Sequence, residues 1–213
     1  LDVMMPGEID GLDVCEFVKS SDEFKSISVV LLSAKGQKQD IAAGLQQSSG
    51  YSYLVAYRLK KAGIIQEVEK GKYTLEKDPF MIASWIVWPS YISSWAALNY
   101  HKLTEQLPFT IQVATTRKRK KKYLDFMGTT IEFIKIRKSA FKGFQKIKYQ
   151  DQEIYIAEKE KALVDGLSSY TLSLSEAVDI IKNNPRQISR RRLFAYARAY
   201  KRLTKKLKRE LHD

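Results

Sequence analysis

The sequence is poor in the side chains that form disulfides and hold metals. It has one cysteine, Cys15, and two histidines, His101 and His212, among 213 residues. A single cysteine excludes a disulfide within the chain, and the usual zinc clusters need several Cys or His ligands in register. We therefore predict no metal site and no cofactor. The low cysteine content fits a reducing, cytoplasmic environment.

Long charge-free stretches are also scarce. The exception, PFMIASWIVWPSYISSWAALNY at residues 79–100, is long enough to span a bilayer. Pro89 interrupts it at its centre, and serines are scattered along it. Because Pro-Ser-Tyr is a favourable helix start, we predict two short buried helices joined at Trp88-Pro89 instead of a membrane span. We therefore expect no membrane partner. The first residues carry no basic region followed by an apolar stretch, so we expect no secretory signal.

Charge is unevenly distributed along the chain. Residues 1–50 hold four Lys/Arg and eight Asp/Glu, a net charge of −4, and since the whole chain carries +13, the rest carries +17. A body this basic favours contact with phosphate backbones or an anionic membrane. Charge alone does not choose between these partners.

The first 45 residues have the pattern of a strand, a helix and a second strand. The run ISVVLL at residues 27–32 is typical of a parallel strand buried on both faces, and its succession after the helix implies a βαβ unit. With LDVMMPGEIDG before it, the segment resembles part of a response-regulator receiver domain. That resemblance implies that Asp2 matches the phosphoacceptor and Ser33 the hydroxyl that responds to it.

Phosphorylation of Asp2 is nevertheless doubtful on electrostatic grounds. The acidic pair that holds magnesium in receivers, and their lysine, have no counterpart in this sequence. Without those charges, transfer of a phosphoryl group to Asp2 loses its stabilisation. We expect Asp2 to be a relic, with phospho-regulated signalling as an alternative.

Residues 40–76 have the order of a winged helix-turn-helix. DIAAGLQQ predicts a short helix, SSG a turn, and YSYLVAYRLKKAGII a second helix that Gly63 stops. Two short strands, Ile64–Val68 and Lys72–Leu75, follow around a Gly turn. The second helix would enter the major groove, and the hairpin, or wing, would follow the backbone. A helical hairpin used only as a scaffold is the alternative.

The DNA contacts predicted for this unit follow from side-chain chemistry. Polar groups at the start of the second helix would meet base edges, and cations on the helix and wing would meet phosphates, with Lys60 among them. The predicted DNA-binding residues are Gln47, Ser48, Tyr51, Ser52, Tyr53, Arg58, Lys70 and Lys72.

Several spaced motifs between about residues 45 and 183 carry a second resemblance. They are KGKYTL, DPF.IAS, PSYIS..AAL, LTEQLP..I.VAT, F.G..I.F..I and IYIAEKEKALVDGL. The segment resembles the abortive-infection AbiEi family of antitoxins and transcriptional regulators of viral defence. This implies a winged helix that represses its own promoter by binding double-stranded operator DNA. It also implies a C-terminal domain that counters a nucleotidyltransferase toxin or acts on the toxin's RNA substrate.

Strands and a cationic run are predicted within residues 77–213. Phe109–Ala114 and Thr130–Ile136 read as strands, and Phe144–Tyr149 with Ile154–Ile156 as a hairpin. The run RKRKKK at 117–122 cannot be buried, so it is an exposed loop or strand edge. A solvated run and a phosphate-binding strip both fit it. The predicted basic patch comprises Arg117, Lys118, Arg119, Lys120, Lys121, Lys122, Arg190, Arg191 and Arg192.

The acidic motif AEKEKALVDGL invites an enzymatic interpretation. On a helix, Glu158 and Asp165 share a face while Glu160 points away. We predict a solvated helix start with Leu163 facing inward. Because no convergent acid, base and nucleophile are visible, we predict no catalytic residues and no enzyme.

The last stretch, Ile188–Leu211, predicts one long basic amphipathic helix. Leu193, Ala197, Tyr200, Leu203 (or Thr204) and Leu207 form its apolar stripe, and Lys and Arg cover its other faces. Docking on its own domain is the default. Contact with DNA phosphates, an anionic membrane or an acidic partner is the alternative.

Together these patterns predict an α/β (α+β) fold. It comprises a receiver-like βαβ fragment at 1–45, a winged helix-turn-helix at 40–76 and a mixed α/β AbiEi-like antitoxin domain at 77–213. We expect a DNA-binding regulator and antitoxin of a type IV toxin-antitoxin system in phage defence. A protein- or RNA-binding module without DNA binding is the second hypothesis.

Overall fold

A computed structural model describes residues 30–32, 57–105, 109–150 and 152–211 of the protein. The chain divides into two units, Leu1–Asp78 and Pro79–Asp213. Strands occur in both, and the second unit combines a six-stranded sheet with helices, which confirms the α/β class. Within the described ranges, no helix is long and apolar enough to cross a membrane.

The first unit contains a three-stranded antiparallel sheet. Its strands are β1 (Val30–Leu32), β2 (Gln66–Glu69) and β3 (Lys72–Thr74), in the order β1-β3-β2. A helical segment at 57–61 precedes the β2–β3 hairpin, and the chain leaves it at Gly63, which has a φ of 72°. The described end of the second predicted helix and the predicted hairpin are therefore confirmed.

The parallel pairing predicted for the apolar run at 27–32 is wrong for its described residues. Val30–Leu32 pairs antiparallel with β3, with Leu31 opposite Tyr73. A short apolar run indicates burial, but it carries no information about the direction of the neighbouring strand. The rest of the receiver-like fragment, including Asp2 and Ser33, lies outside the described residues.

The second unit is built on a six-stranded mixed sheet with the order β6-β7-β5-β4-β9-β8. Its strands are β4 (Ser90–Ser93), β5 (Thr110–Thr115), β6 (Tyr123–Phe126), β7 (Thr129–Lys135), β8 (Phe144–Tyr149) and β9 (Gln152–Ala157). The β5–β7 and β4–β9 pairs are parallel, and the others are antiparallel. The predicted strands β5 and β7 and the β8–β9 hairpin are confirmed, whereas β6 was not predicted.

Helices pack against the sheet and against one another. They are α1 (Pro79–Trp85), α2 (Ser94–Tyr100), α3 (Lys159–Ser169), α4 (Leu174–Asn183), α5 (Arg190–Ala197) and α6 (Lys201–Leu211). Helices α2 and α3 contact each other and the central strand β4, and α5 packs on α3. The core includes Ile92 and Val113 on the sheet and Leu163 on α3, all fully buried. Leu163 therefore faces inward, as predicted.

The helix predicted to start at Pro89 is instead a strand. Ser90–Ser93 form β4 between β5 and β9, and helix α2 begins at Ser94. All four side chains of β4 are buried. A strand covered on both faces shows no polar alternation, so this sequence did not distinguish it from a buried helix.

The predicted continuous C-terminal helix is two helices, α5 and α6. The carbonyl of Ala197 accepts the amide of Tyr200 at 2.8 Å and the hydroxyl of Thr204 at 2.7 Å. These bonds replace the one from Lys201 that a continuous helix would make, so the chain turns and the helix starts again. The apolar stripe is confirmed at Leu193, Ala197 and Leu207, which are fully buried.

Candidate nucleic-acid interface

Three predicted DNA-binding cations of the first unit lie on its helical segment and its β2–β3 hairpin. Arg58 is exposed within the helical segment at 57–61, Lys70 is exposed at the turn of the hairpin, and Lys72 begins β3. Other predicted DNA-binding residues, Gln47, Ser48, Tyr51, Ser52 and Tyr53, lie outside the described residues.

Two of the predicted phosphate-binding cations have carboxylates beside them. The Lys72 Nζ atom lies 2.8 Å from a Glu69 carboxylate oxygen, and the Lys60 Nζ atom lies 2.6 Å from Glu67. Phosphate would compete with these carboxylates. Arg58 has no ion pair with a carboxylate that the structure describes, nor does Lys70, so these two cations are better placed to bind phosphate.

The cationic run at 117–122 is the exposed connection between β5 and β6, as the sequence predicts. Lys122 bridges to Glu132 of β7 at 2.8 Å, and this hydrogen bond raises the pKa of Lys122. The Arg119 guanidinium lies 4.0 Å from the centre of the Phe133 ring, a cation–π distance. The loop is thus attached to the sheet at two points.

A cleft of about 270 Å³ lies between this loop and the sheet. Its lining residues are Thr115, Arg117, Lys118, Arg119, Lys122, Glu132, Phe133, Ile134, Lys135 and Ser169. Five of these side chains are cationic and one is acidic, so the cleft favours an anion. The arginine triplet at 190–192 does not contribute to it.

That triplet begins helix α5 and makes contacts within its own unit. The Arg192 guanidinium lies 3.2 Å from Glu160, and Arg190 donates a hydrogen bond to the Leu211 carbonyl at 3.3 Å. Arg191 is exposed. Two of the three predicted patch residues therefore hold helices together, which leaves Arg191 as the more available cation.

At the helix start predicted to be solvated, Glu158 and Lys159 are half-exposed, but the charges that follow are buried. Glu160 and Asp165 have no exposed surface, and Lys161 is 2% exposed. Lys161 Nζ donates to one Asp165 carboxylate oxygen at 2.5 Å, while the hydroxyls of Tyr91 and Ser93 donate to the other, each at 2.9 Å. The expectation failed because the hydroxyl partners of Asp165 come from β4, about 70 residues earlier in the chain, and the partners of Glu160 come from the start of α5, about 30 residues later.

Burial and hydrogen bonding act in opposite directions on the Asp165 carboxyl. Burial raises its pKa, and Lys161, Ser93 and Tyr91 lower it. Each of the three donors satisfies a carboxylate lone pair that water would otherwise occupy. Because the group is enclosed, we assign it a structural role in joining α3 to β4.

A second buried acid joins α3 to α5. Glu160 accepts the Ser189 amide at 2.7 Å, at the N-cap of α5. Nearby, Tyr196 donates to the Glu158 carboxylate at 2.8 Å, and burial together with this hydrogen bond raises the pKa of Tyr196 to about 12. These contacts explain the motif by packing rather than by catalysis.

Three residues of this unit were not predicted from the sequence to have a role in a site: Trp88, Tyr91 and Ser93. Tyr91 and Ser93 are two residues apart on a strand, so their side chains share a face and reach the same carboxylate. That spacing is a usable signal once β4 is recognised as a strand. Trp88 is 62% exposed just before β4, and an apolar run gave no sign of such exposure.

No protein-family model matches the chain, and no curated protein matches it. The resemblance to AbiEi antitoxins therefore stays a prediction carried by its motifs. Two cationic surfaces are available to support a function: the helical segment with the β2–β3 hairpin, and the cleft beside the loop at 117–122.

Proposed function

We propose that the protein is a DNA-binding transcriptional regulator of the AbiEi antitoxin type. Its winged helix-turn-helix would hold operator DNA and exclude the polymerase. The observation that carries this proposal is the hairpin β2–β3, which follows a helical segment directly and presents Lys70 at its exposed turn. Helix followed by cationic wing is the arrangement that reads a groove and follows the backbone.

The sheet supports this role mechanically. A two-stranded hairpin alone is marginally stable in water, whereas three strands with a buried face hold a defined shape. Strand β1 supplies the third strand by pairing with β3. Ile65, just before β2, and Val68, within β2, are buried, so the turn of the hairpin is presented by an anchored strand.

The antitoxin half of the proposal rests on the AbiEi-like motifs. They extend through α3. There the two charged residues of KALVDGL, Lys161 and Asp165, form a buried ion pair. A protein of this type acts in the cytoplasm, uses no cofactor and is not an enzyme. It would counter a nucleotidyltransferase toxin.

Operator binding is tested by gel shift and fluorescence anisotropy with DNA from upstream of the protein's own gene. We expect Arg58→Ala and Lys70→Ala each to weaken binding and to reduce the salt slope by about 0.9, the value of one lost phosphate contact. Lys182→Ala, at an exposed lysine on α4 of the second unit, is the charge-matched control. We expect it to leave both quantities unchanged.

Two results would remove the proposal. One is binding to the upstream DNA without sequence preference. The other is a salt slope of DNA binding that does not change when Arg58 or Lys70 is replaced.

The cationic cleft favours a second candidate, an interaction module that acts without operator binding. The cleft lies wholly within residues 79–213. Co-expression with the toxin gene next to this one distinguishes the candidates. Rescue of growth by residues 76–213 alone supports the interaction module, and rescue that requires the first unit supports the regulator.

A further inference from the structure

Trp88 has an unusual environment for a tryptophan. Its side chain is 62% exposed, and its ring lies 5.4 Å from that of Tyr155 on β9, at an interplanar angle of 50°. Tyr155 supports part of the indole and leaves the rest in solvent. Indole is a large apolar surface, and exposing it favours a partner that covers it.

Arg117 links the backbone of Trp88 to the cationic cleft. The Arg117 Nε atom donates to the Trp88 carbonyl at 3.2 Å, and the Thr115 hydroxyl donates to the Pro89 carbonyl at 2.7 Å. Arg117 and Thr115 both line the cleft. The guanidinium keeps its two terminal amino groups for another acceptor, because the bond to Trp88 uses Nε alone.

We propose that Trp88 and the cleft beside it form a binding site for single-stranded nucleic acid. A base would stack on the exposed indole, and the adjoining phosphates would meet Arg117 and Lys118. Stacking on an aromatic ring next to a cationic groove is how proteins bind single strands with little sequence preference. The site is separate from the wing and does not depend on the function proposed above.

The combination of groups favours a single strand over the other anionic partners. Duplex DNA keeps its base faces stacked inside the helix, so it would use the cations but not the indole. An acidic protein would also pair with the cations and gain nothing specific from a stacking platform. Only an unpaired base offers the flat aromatic face that Trp88 can cover.

The test uses the full chain and a fluorescein-labelled oligouridylate of about 12 nucleotides, within the site size of single-strand binding folds. We expect Trp88→Ala to weaken binding about tenfold, the effect of one lost stacked base. Trp88→Phe keeps a stacking ring, so its affinity should stay within about threefold of that of the unaltered chain. Lys118→Ala should reduce the salt slope by about 0.7, the value for one single-strand phosphate contact.

Two controls separate stacking from loss of structure. Phe109→Ser removes an aromatic ring that is 92% exposed at the end of β5 opposite to Thr115, and we expect unchanged binding. Tryptophan fluorescence provides the second: the oligonucleotide should quench the emission of the unaltered chain, and Trp88→Phe should lose most of that quenching while still binding. Lys70→Ala on the wing should leave single-strand binding unchanged, so this test and the operator test fail independently.

Two outcomes would overturn the proposal. One is equal affinity for Trp88→Ala, Phe109→Ser and the unaltered chain. The other is a 12-base-pair duplex, about the same length as the probe, that displaces the single strand as well as unlabelled oligouridylate does. An oligodeoxyuridylate arm, which differs from the probe only by lacking the 2′-hydroxyls, shows whether the sugar matters, and binding of either strand more tightly than the duplex supports a single-strand site.

Discussion

Asp165 shows how a single residue holds the second unit together. Its carboxylate is fully buried and accepts hydrogen bonds from Lys161, Tyr91 and Ser93. Removing one partner of a buried ion pair leaves an uncompensated charge, which typically costs about 3–5 kcal/mol. We therefore expect Lys161→Met to lower the free energy of unfolding by about that amount in urea denaturation.

A lysine two residues earlier on the same helix provides the control. Lys159 makes an exposed hydrogen bond to Gln187 at 2.9 Å. Exposed polar contacts of this kind contribute about 0–1 kcal/mol, so Lys159→Met should change stability little. Equal effects of the two substitutions would contradict the structural role of the Lys161–Asp165 pair.

His101 makes stability depend on pH. Burial lowers its pKa below the ordinary 6.5, although its Nε2 hydrogen bond to the Ala157 carbonyl, at 2.7 Å, raises it. Above pH 6.5 the imidazole is neutral in both the folded and the unfolded chain. As the pH falls below 6.5, the unfolded chain takes up a proton before the folded chain does, so the free energy of unfolding decreases.

The measurement is urea denaturation at several pH values between about 5.5 and 7.5, above the range in which most carboxylates titrate. His101→Gln keeps a donor for the Ala157 carbonyl and does not titrate. We expect it to flatten the loss of stability on acidification. A slope identical to that of the unaltered chain would show that His101 is not the group responsible.

At the scale of elements, Gly143 sets how closely helix α5 approaches the start of β8. Gly143 has a φ of +78°, and a Cβ there would lie 2.6 Å from the Tyr196 ring of α5. Gly128, between β6 and β7, has nearly the same φ of +77° but nothing within 4 Å of a Cβ. The two glycines thus separate backbone strain from crowding.

Alanine at each position gives a matched pair of variants. Gly128→Ala should cost about 1 kcal/mol, because only the left-handed backbone is strained. Gly143→Ala should cost a further ~1–3 kcal/mol, because the methyl group also displaces the Tyr196 ring. Thermal and urea unfolding measure both. Equal losses in the free energy of unfolding would mean that the Tyr196 ring moves aside without cost.

The strands with clear sequence signals were the predictable elements. Strands β5 and β7 are apolar runs bounded by polar segments, and the β8–β9 hairpin alternates around a short turn. Strand β6 was missed because it is a four-residue edge strand that is mostly exposed, and it follows six cations. The division between α5 and α6 was missed because one side-chain hydrogen bond from Thr204 decides it.

The cationic half of the candidate site was visible in the sequence because six adjacent charges cannot be buried. Its aromatic half was not. Trp88 belongs to an uncharged run, and the bond from Arg117 to its carbonyl is what associates it with the cations of the cleft. Contacts between segments distant in sequence decide such a site, and a pattern along one chain does not record them.

At the scale of the whole molecule, the second unit has the means to fold by itself. Residues 79–213 contain the complete six-stranded sheet, the six helices α1 to α6 and the buried pair Lys161–Asp165. We expect this fragment, expressed alone, to unfold in one cooperative urea transition. Its m-value should be that of a domain of its size, because m scales with the surface exposed on unfolding.

Gly143→Ala should lower the stability of the fragment as much as it lowers that of the same transition in the full chain. A fragment with no cooperative transition, or one indifferent to Gly143→Ala, would show that the core of the second unit depends on residues 1–78.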